Sequence, residues 1–383
     1  MKRSTDRILT THVGSLPRPP ELIKALVERR TTGPEFESLL ARAVTDVVKQ
    51  QSEAGIDIPS DGEMSKLGFS NYVDDRMSGF EARTGEHFRV FSGRDRKAFA
   101  EFYQVLDKEA TVGRTFHAMV CTSPIKFHGA DIVKRDLDNF KLALKGQPIA
   151  EAFVPAIAPG TVALQRRNAF YKTEEEFLFA IADGLAPEYK AIVDAGYILQ
   201  IDDPRLVTEY DTTDPEPAIA DYQKVASRRI DAINHAIKGL PADRIRFHVC
   251  WGSWHGPHST DIALKHLLPL IFKLKVGGFS VEAANPQHAH EWEVFESTKL
   301  PDGMVLIPGV VAHTTNHVEH PEYIAQRLVQ YAKLVGRENV IAGVDCGFAQ
   351  GADVTRVHPS IIWAKFRNLA AGARLASKQL WGR

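Results

Sequence analysis

Four side chains that stand far apart in this sequence are of types that bind a soft metal ion. His248 and Cys250 are one residue apart in H-V-C, Glu282 closes S-V-E, and Cys346 lies in D-C-G. On a β-strand, residues i and i+2 project to the same side, so His248 and Cys250 can face one point. An imidazole, two thiolates and a carboxylate suit Zn²⁺. Taken alone, H-x-C also reads as a strand that packs its thiol into a core, because reduced Cys is among the most buried residue types. Glu282 weighs against that reading, since a carboxylate at the end of an apolar strand needs a partner.

The donor types also point to a class of chemistry. Closed structural zinc sites are mostly all Cys and His, whereas a carboxylate ligand is more easily displaced by a substrate. With neutral His, the set carries three negative charges against the two positive charges of zinc. A substrate thiol that replaces Glu282 leaves that balance unchanged. The metal acidifies the thiol, and the electron-rich ligands keep its sulfur nucleophilic. The natural reaction is S-alkylation. Hydrolytic zinc enzymes more often use neutral His ligands to acidify water.

Something must bring the four together. Eight short apolar runs recur along the chain: Ile8–Val13, Ile56–Pro59, Ala152–Ala158, Tyr197–Ile201, Ile245–Cys250, Phe279–Ala283, Val305–Val311 and Val340–Val344. Their length and β-branched content suit buried strands. Between them lie helical patterns over Glu35–Glu53, Thr173–Ala195, Pro217–Ile237, Thr260–Leu274 and Pro321–Val335, and a last helix from about Pro359 to Ala376. This alternation predicts an α/β fold, a (β/α)₈ TIM barrel over residues 1–383 with residues 66–147 as a long insertion between strands 2 and 3 that packs on the barrel. In such a barrel, catalytic groups sit at strand ends, where His248, Cys250, Glu282 and Cys346 fall. The runner-up is an open doubly wound sheet. No G-x-G-x-x-G follows the first run, and no G-x-x-x-x-G-K-[ST] is present.

Composition narrows the field. Forty-seven basic and 48 acidic residues give a net charge of −1, so there is no general pull toward nucleic acid or a membrane surface. An apolar fraction of 44% and a charged fraction of 25% are those of a globular chain. No apolar run nears the ~20 residues of a membrane span. The first residues, M-K-R-S-T-D-R, lack the apolar stretch of a signal peptide, and three cysteines make no disulfide framework. A cytoplasmic protein is expected.

At this point the motifs meet a family. T-H-V-G-S-L-P (Thr11–Pro17), S-D-G-E (Ser60–Glu63), Q-I-D-D-P (Gln200–Pro204), H-V-C, E-A-A-N (Glu282–Asn285), P-G-V-V (Pro308–Val311) and D-C-G occur in order. With these the chain resembles the catalytic C-terminal barrel of cobalamin-independent methionine synthase. The resemblance implies zinc held by His248, Cys250, Glu282 and Cys346. It implies homocysteine bound by Val13, Gly14 and Ser15 and by Glu63 and Asp202. Two carboxylates suit an ammonium group. The family's proton-transfer histidine maps best to His313, one residue short of the usual spacing, with His317 and His320 as alternatives. The partners implied are a small-molecule thiol and an alkyl donor, with no nucleic acid and no membrane.

Departures from the family concern the donor. The tryptophan that stacks on the pterin has no counterpart in Ala163–Tyr171, I-D-E-P reads I-D-D-P, and W-G-S-W (Trp251–Trp254) replaces an aromatic-acidic run. The donor is therefore left between folate and a corrinoid protein. Short relatives include epoxyalkane:coenzyme M transferases, which open an epoxide by the same zinc-thiol logic; this is the alternative reaction. A non-catalytic zinc-stabilised binding protein is the third reading. Other groups read plainly: Cys121 as a packed thiol, His255, His258, His288 and His290 as loop residues, and Arg18, Arg166 and Arg167 as surface charge or as contacts for a carboxylate or sulfonate.

Overall fold

The computed structural model describes residues 1–89, 93–108, 115–354 and 356–382. Ten strands occur among them: β1 (Leu9–Thr10), β2 (Met77–Arg89), β3 (Thr115–Phe127), β4 (Phe153–Ile157), β5 (Arg166–Asn168), β6 (Ile198–Asp202), β7 (Ile245–Val249), β8 (Gly278–Glu282), β9 (Val305–Gly309) and β10 (Ile341–Ala342). The fold is α/β with parallel sheets. Strands β4, β6, β7, β8 and β9 form one parallel sheet in that order. Every residue of these five is buried, as parallel strands covered on both faces require.

The pairing continues past both edges of that sheet. Parallel bridges join Leu306 to Val340 and Gly309 to Gly343, and β10 pairs in parallel with β1. Thr11 bridges Ile58, and the Phe153 N–H donates to the Pro59 carbonyl at 3.0 Å. The circuit of backbone contacts therefore returns to β4. The run expected as the second strand, Ile56–Pro59, is reduced to a single bridge. Pro59 has no N–H to extend a ladder, and the Asp57 carboxylate takes the Thr10 N–H at 3.0 Å.

Two apolar clusters follow from this arrangement. Leu9, Ile58, Phe153, Ile198, Val305, Ile307 and Ile341, all drawn from the strand circuit, pack together. A larger cluster joins the strands to the helices. The helix Glu174–Asp194 starts as its T-E-E-E sequence predicts: Thr173 Oγ1 accepts the Glu176 N–H at 3.1 Å, and Glu176 reaches back to the Lys172 N–H at 3.0 Å. The helices Pro34–Glu53, Ile219–Ala236 and Pro321–Val335 also match their patterns, and the last helix runs Pro359–Trp381.

One helix is not as expected. Over Thr260–Leu274 only the short turns Leu264–His266 and Leu268–Ile271 form. The hydroxyls of Ser259 and Thr260 bond to Asp95 and Asp211, and Leu264 donates its N–H to Glu291 at 2.7 Å, so the backbone is tied down as a loop. Pro269 removes a further helical donor. Within residues 66–147, β2 and β3 form an antiparallel pair that continues to β5. The helix Ala130–Ala143 of this stretch packs against Pro34–Glu53 and Glu174–Asp194.

Polar groups inside the strand circuit hold the ends of the first and sixth strands. The fully buried Arg246 guanidinium donates to Gln200 Oε1 (2.8 Å), Thr11 Oγ1 (3.0 Å) and the His12 carbonyl (2.8 Å), and lies over the Phe153 ring. Gln200 passes the contact on, donating to the Val13 carbonyl and to Asp202 Oδ1. Beside it, His12 bonds Gln51 Oε1 through Nε2 at 2.7 Å and receives the Gly14 N–H on Nδ1 at 3.2 Å. Only the neutral Nε2–H form satisfies both contacts.

Burial accordingly pushes His12 down to about 3 from the usual 6.5. As pH falls below 6.5, the unfolded chain binds a proton that the folded chain refuses, so stability is lost progressively toward pH 3, at up to ~1.4 kcal/mol per pH unit. Urea unfolding of His12→Gln is expected to show a pH slope about one proton shallower between about pH 6 and 4 than wild type. An unchanged slope would contradict a neutral His12.

Candidate metal centre and its cavity

Strand β7 ends at Val249, and the chain turns there, leaving His248 and Cys250 at the mouth of the circuit. A ring nitrogen of His248 and the sulfurs of Cys250 and Cys346 all lie within 4.8 Å of one another, and the two sulfurs are 3.3 Å apart. All three residues are buried. His248 Nδ1 faces Ser280 Oγ at 3.2 Å on the neighbouring β8, while its Nε2 is buried with no hydrogen-bond partner among the described residues. A buried nitrogen without a partner is costly unless something else occupies it.

Glu282, at the end of β8, accepts the Trp251 N–H on Oε2 at 2.8 Å. One of its oxygens lies within 4.8 Å of ligand atoms of His313 and Asp345. Asp345 stitches the ends together, because its Oδ1 accepts the N–H groups of Ala283 and Ala284, both at 2.8 Å. His313 is buried, with Nε2 at 3.1 Å from Ser253 Oγ, and Ser253 lies 3.5 Å from Cys346 Sγ. If Ser253 donates to the sulfur, His313 Nε2 carries the hydrogen, and its Nδ1, which has no partner among the described residues, is an acceptor. Burial holds His313 down to about 4. His317 and His320 are placed otherwise: neither is buried, and His320 caps the helix Pro321–Val335.

The thiols divide their proton. Donation by Cys250 to Cys346 raises the former and lowers the latter well below the usual thiol range. The His248 nitrogen and the two sulfurs form a donor set of the kind zinc takes, whereas Glu282, expected as the fourth ligand, groups with His313 and Asp345. The orphaned His248 Nε2 is the observation that a metal would explain.

These residues open onto a cavity of about 610 Å³, lined also by Val13, Ser15, Glu63 and Asp202. Glu63 and Asp202 are buried on its wall, and burial raises both above the usual carboxylate range. The Glu63 charge pushes Asp202 further up, while Lys66 and Arg18 draw Glu63 back. Glu63 Oε2 has no partner among the described residues. Its backbone sits at φ 56°, the left-handed region, held there by the Asp61 carboxylate on its N–H at 3.0 Å. Gly14 is required beside it. At φ +141°, a Cβ there would lie 2.9 Å from Glu63 Oε1 and 2.8 Å from Pro155. Ser15 ties the first strand to the D-C-G loop by accepting the Phe348 N–H on its carbonyl at 2.9 Å.

Other groups differ from their sequence reading. Arg18 is buried and donates to the Glu63 carbonyl at 2.7 Å, and Arg166 is buried and pairs with Asp74 at 2.6 Å. His258 and His288 are buried too. Both bond Asp261 Oδ2, at 2.7 and 3.0 Å, and His288 stacks on Trp251. Against the burial that pushes it down, the bonds to Asp261 and Glu291 raise His288 to about 9. This charged layer and Asp345 were missed as site elements; the W-G-S-W-H-G-P-H-S-T-D run held the only signal. Cys121 is a buried thiol outside this cluster, as read.

Fold and centre together define an α/β enzyme with a buried His/Cys candidate metal centre on a substrate-sized cavity. Residues 116–361 match the catalytic-domain model of the cobalamin-independent synthases, and the chain belongs to that family, which is one of methyltransferases. It is 27% identical over 342 residues to a methionine synthase of Sulfolobus acidocaldarius, covering 88% of this chain and 85% of that one. It is 25% identical over 376 residues to a methionine synthase of Thermococcus kodakarensis, covering 97% and 94%. A B12-independent methionine synthase structure from Shewanella sp. W3-18-1, in complex with selenomethionine, superposes with a TM-score of 0.75 at 20% identity, covering 98% of this chain and all of that one (100%).

Metal analysis is expected to find one zinc per chain. Cys250→Ser and Cys346→Ser are each expected to weaken zinc at least as much as loss of an outer partner does, about 10–100-fold, and Ser280→Ala to fall within that range by freeing the His248 ring. Competition with a chelator measures this. Full, equally tight zinc in both Cys variants would remove the centre.

Proposed function

We propose that the chain is a zinc-dependent thiol alkyltransferase that methylates the sulfur of homocysteine to give methionine. We read the strand circuit as a closed (β/α)₈ barrel over residues 1–383, with residues 66–147 as an insertion that contributes Ala82 and Met119 to the cavity wall. The observation that carries the reading is one cavity with two kinds of unsatisfied group: the His248 nitrogen beside two thiols, and the buried Glu63 oxygen with Asp202 near it.

His248, Cys250, Cys346 and Glu282 would hold the zinc, which when bound supplies acidification of a thiol. Glu63 and Asp202 take the substrate ammonium, and the cation relieves the repulsion that raises both acids. Val13, Gly14 and Ser15 form the wall against the amino acid. The thiol gives up its proton to His313 Nδ1. Its sulfur forms a bond to the methyl carbon as the bond from that carbon to the donor breaks. The donor's leaving atom keeps the electron pair; a folate nitrogen then takes the proton from His313, whereas a corrinoid cobalt leaves as Co(I) and His313 returns the proton to solvent. The donor is a methyl-folate or a methyl-corrinoid protein. Two acids on the wall favour homocysteine over coenzyme M, whose sulfonate asks for cations. Three reduced thiols and the absence, among the described residues, of a helix long and apolar enough to cross a membrane support the cytoplasm as its place.

The test offers zinc-loaded protein homocysteine with 5-methyltetrahydrofolate or methylcobalamin, and coenzyme M with epoxypropane. Methionine is the expected product. Glu63→Gln and Asp202→Asn are each expected to raise the homocysteine KM about 10–100-fold with the zinc retained. An alkylated coenzyme M with no methionine would move the function to the epoxide reaction.

A further inference from the structure

Among the described residues, one cation on the cavity wall, Arg205, has no side-chain hydrogen bond or ion pair. Arg205 is the first residue after Pro204 and opens the helix Arg205–Thr212. Arg205, Thr208, Asp211 and Thr212 all line the cavity, a spacing that puts them on one helix face. Its backbone is engaged, since the Arg205 N–H meets Thr161 Oγ1 and its carbonyl accepts from Arg229. Its guanidinium has no hydrogen bond or ion pair among the described residues. The acids around it are engaged elsewhere: Glu209 pairs with Arg229, Asp203 accepts from Thr161 on Oδ1 while its Oδ2 has no hydrogen-bond partner among the described residues, and Asp211 accepts from Thr260 and the Arg94 N–H. A second guanidinium on the same wall, Arg166, is buried and keeps its Nε without a partner among the described residues.

Asp202, which on the proposed function faces the substrate ammonium, ends β6 three residues before Arg205 and lines the same cavity. An α-amino acid carries its carboxylate on the same carbon as its ammonium. We propose that Arg205, supported by the Arg166 edge, forms an anion subsite in this cavity that takes a carboxylate of the substrates. A guanidinium meets a carboxylate with two parallel hydrogen bonds, which a half-buried, unpaired fork on a cavity wall is shaped for. Burial and the neighbouring Arg229 lower Arg205 to about 10, so it stays a cation at neutral pH while its desolvation favours an anionic partner. The carboxylate has two sources, the amino-acid thiol or an acidic methyl donor. This inference deepens the proposed function and rests on it for the identity of the thiol, but not for the subsite itself.

Calorimetric titration of the zinc-loaded protein separates the sources. The probes are L-homocysteine, 3-aminopropane-1-thiol (the same thiol without its carboxylate) and 5-methyltetrahydrofolate, each with wild type and Arg205→Gln. Thermal melting checks that the variant is folded, and Arg205→Lys serves as a charge-retaining second variant. Wild type is expected to prefer homocysteine to the decarboxylated thiol by about 10–100-fold, and Arg205→Gln to erase that preference while leaving the decarboxylated thiol unchanged. If the two thiols bind alike but Arg205→Gln weakens the folate by a similar factor, the subsite stands with the donor as its source. Should neither thiol bind while the folate binds and Arg205→Gln weakens it, the subsite stands and the thiol reading falls. No change between wild type and both variants toward any of the three probes overturns the subsite.

Discussion

Two sulfurs 96 residues apart in sequence meet at 3.3 Å in a buried site, with an imidazole nitrogen that nothing among the described residues satisfies. Such a cluster is unfavourable by itself. Burial disfavours an ionised thiol, and an unbonded ring nitrogen loses its water for no return. The contact persists because the strands that carry it are set by a much larger apolar core. Fold energy thus holds these donor atoms together. The same logic extends along the cavity wall, where burial raises the carboxylates of Glu63 and Asp202 and the Glu63 charge raises Asp202 further.

Polar wiring keeps these groups from relaxing away. Asp345 accepts two backbone N–H groups at the end of β8, which fixes Cys346 against Glu282's strand. Arg246 and Gln200 link Thr11, His12, Val13 and Asp202 into one network inside the strand circuit. A buried guanidinium earns little stability by itself, but it fixes the register of the groups around it. Outside the centre, the His258–Asp261–His288 layer lies against Trp251, whose N–H binds Glu282. Against burial, the bonds to Asp261 raise both rings above the ordinary imidazole range, His288 to about 9. Membership of the cobalamin-independent synthase family agrees with this design.

Local pattern was enough for much of the chain. Periodicity and caps marked the helices from Pro34, Glu174, Ile219, Pro321 and Pro359, and short apolar runs marked the strands that form the parallel sheet. Motif order picked out His248, Cys250, Glu282 and Cys346, because residue type and strand parity are written in the sequence. What the sequence could not determine depends on distant partners. The segment at Ile56–Pro59 looks like a strand until Asp57 is drawn off by Thr10, and Thr260–Leu274 looks helical until Asp95, Asp211 and Glu291 claim its donors. Arg18, Arg166, His258 and His288 read as surface groups because burial is a property of the packed whole. Arg205 carried no motif at all: a guanidinium is marked by the lack of a partner among the described residues, and only the tertiary structure shows that Glu209, Asp203 and Asp211 bond to other groups.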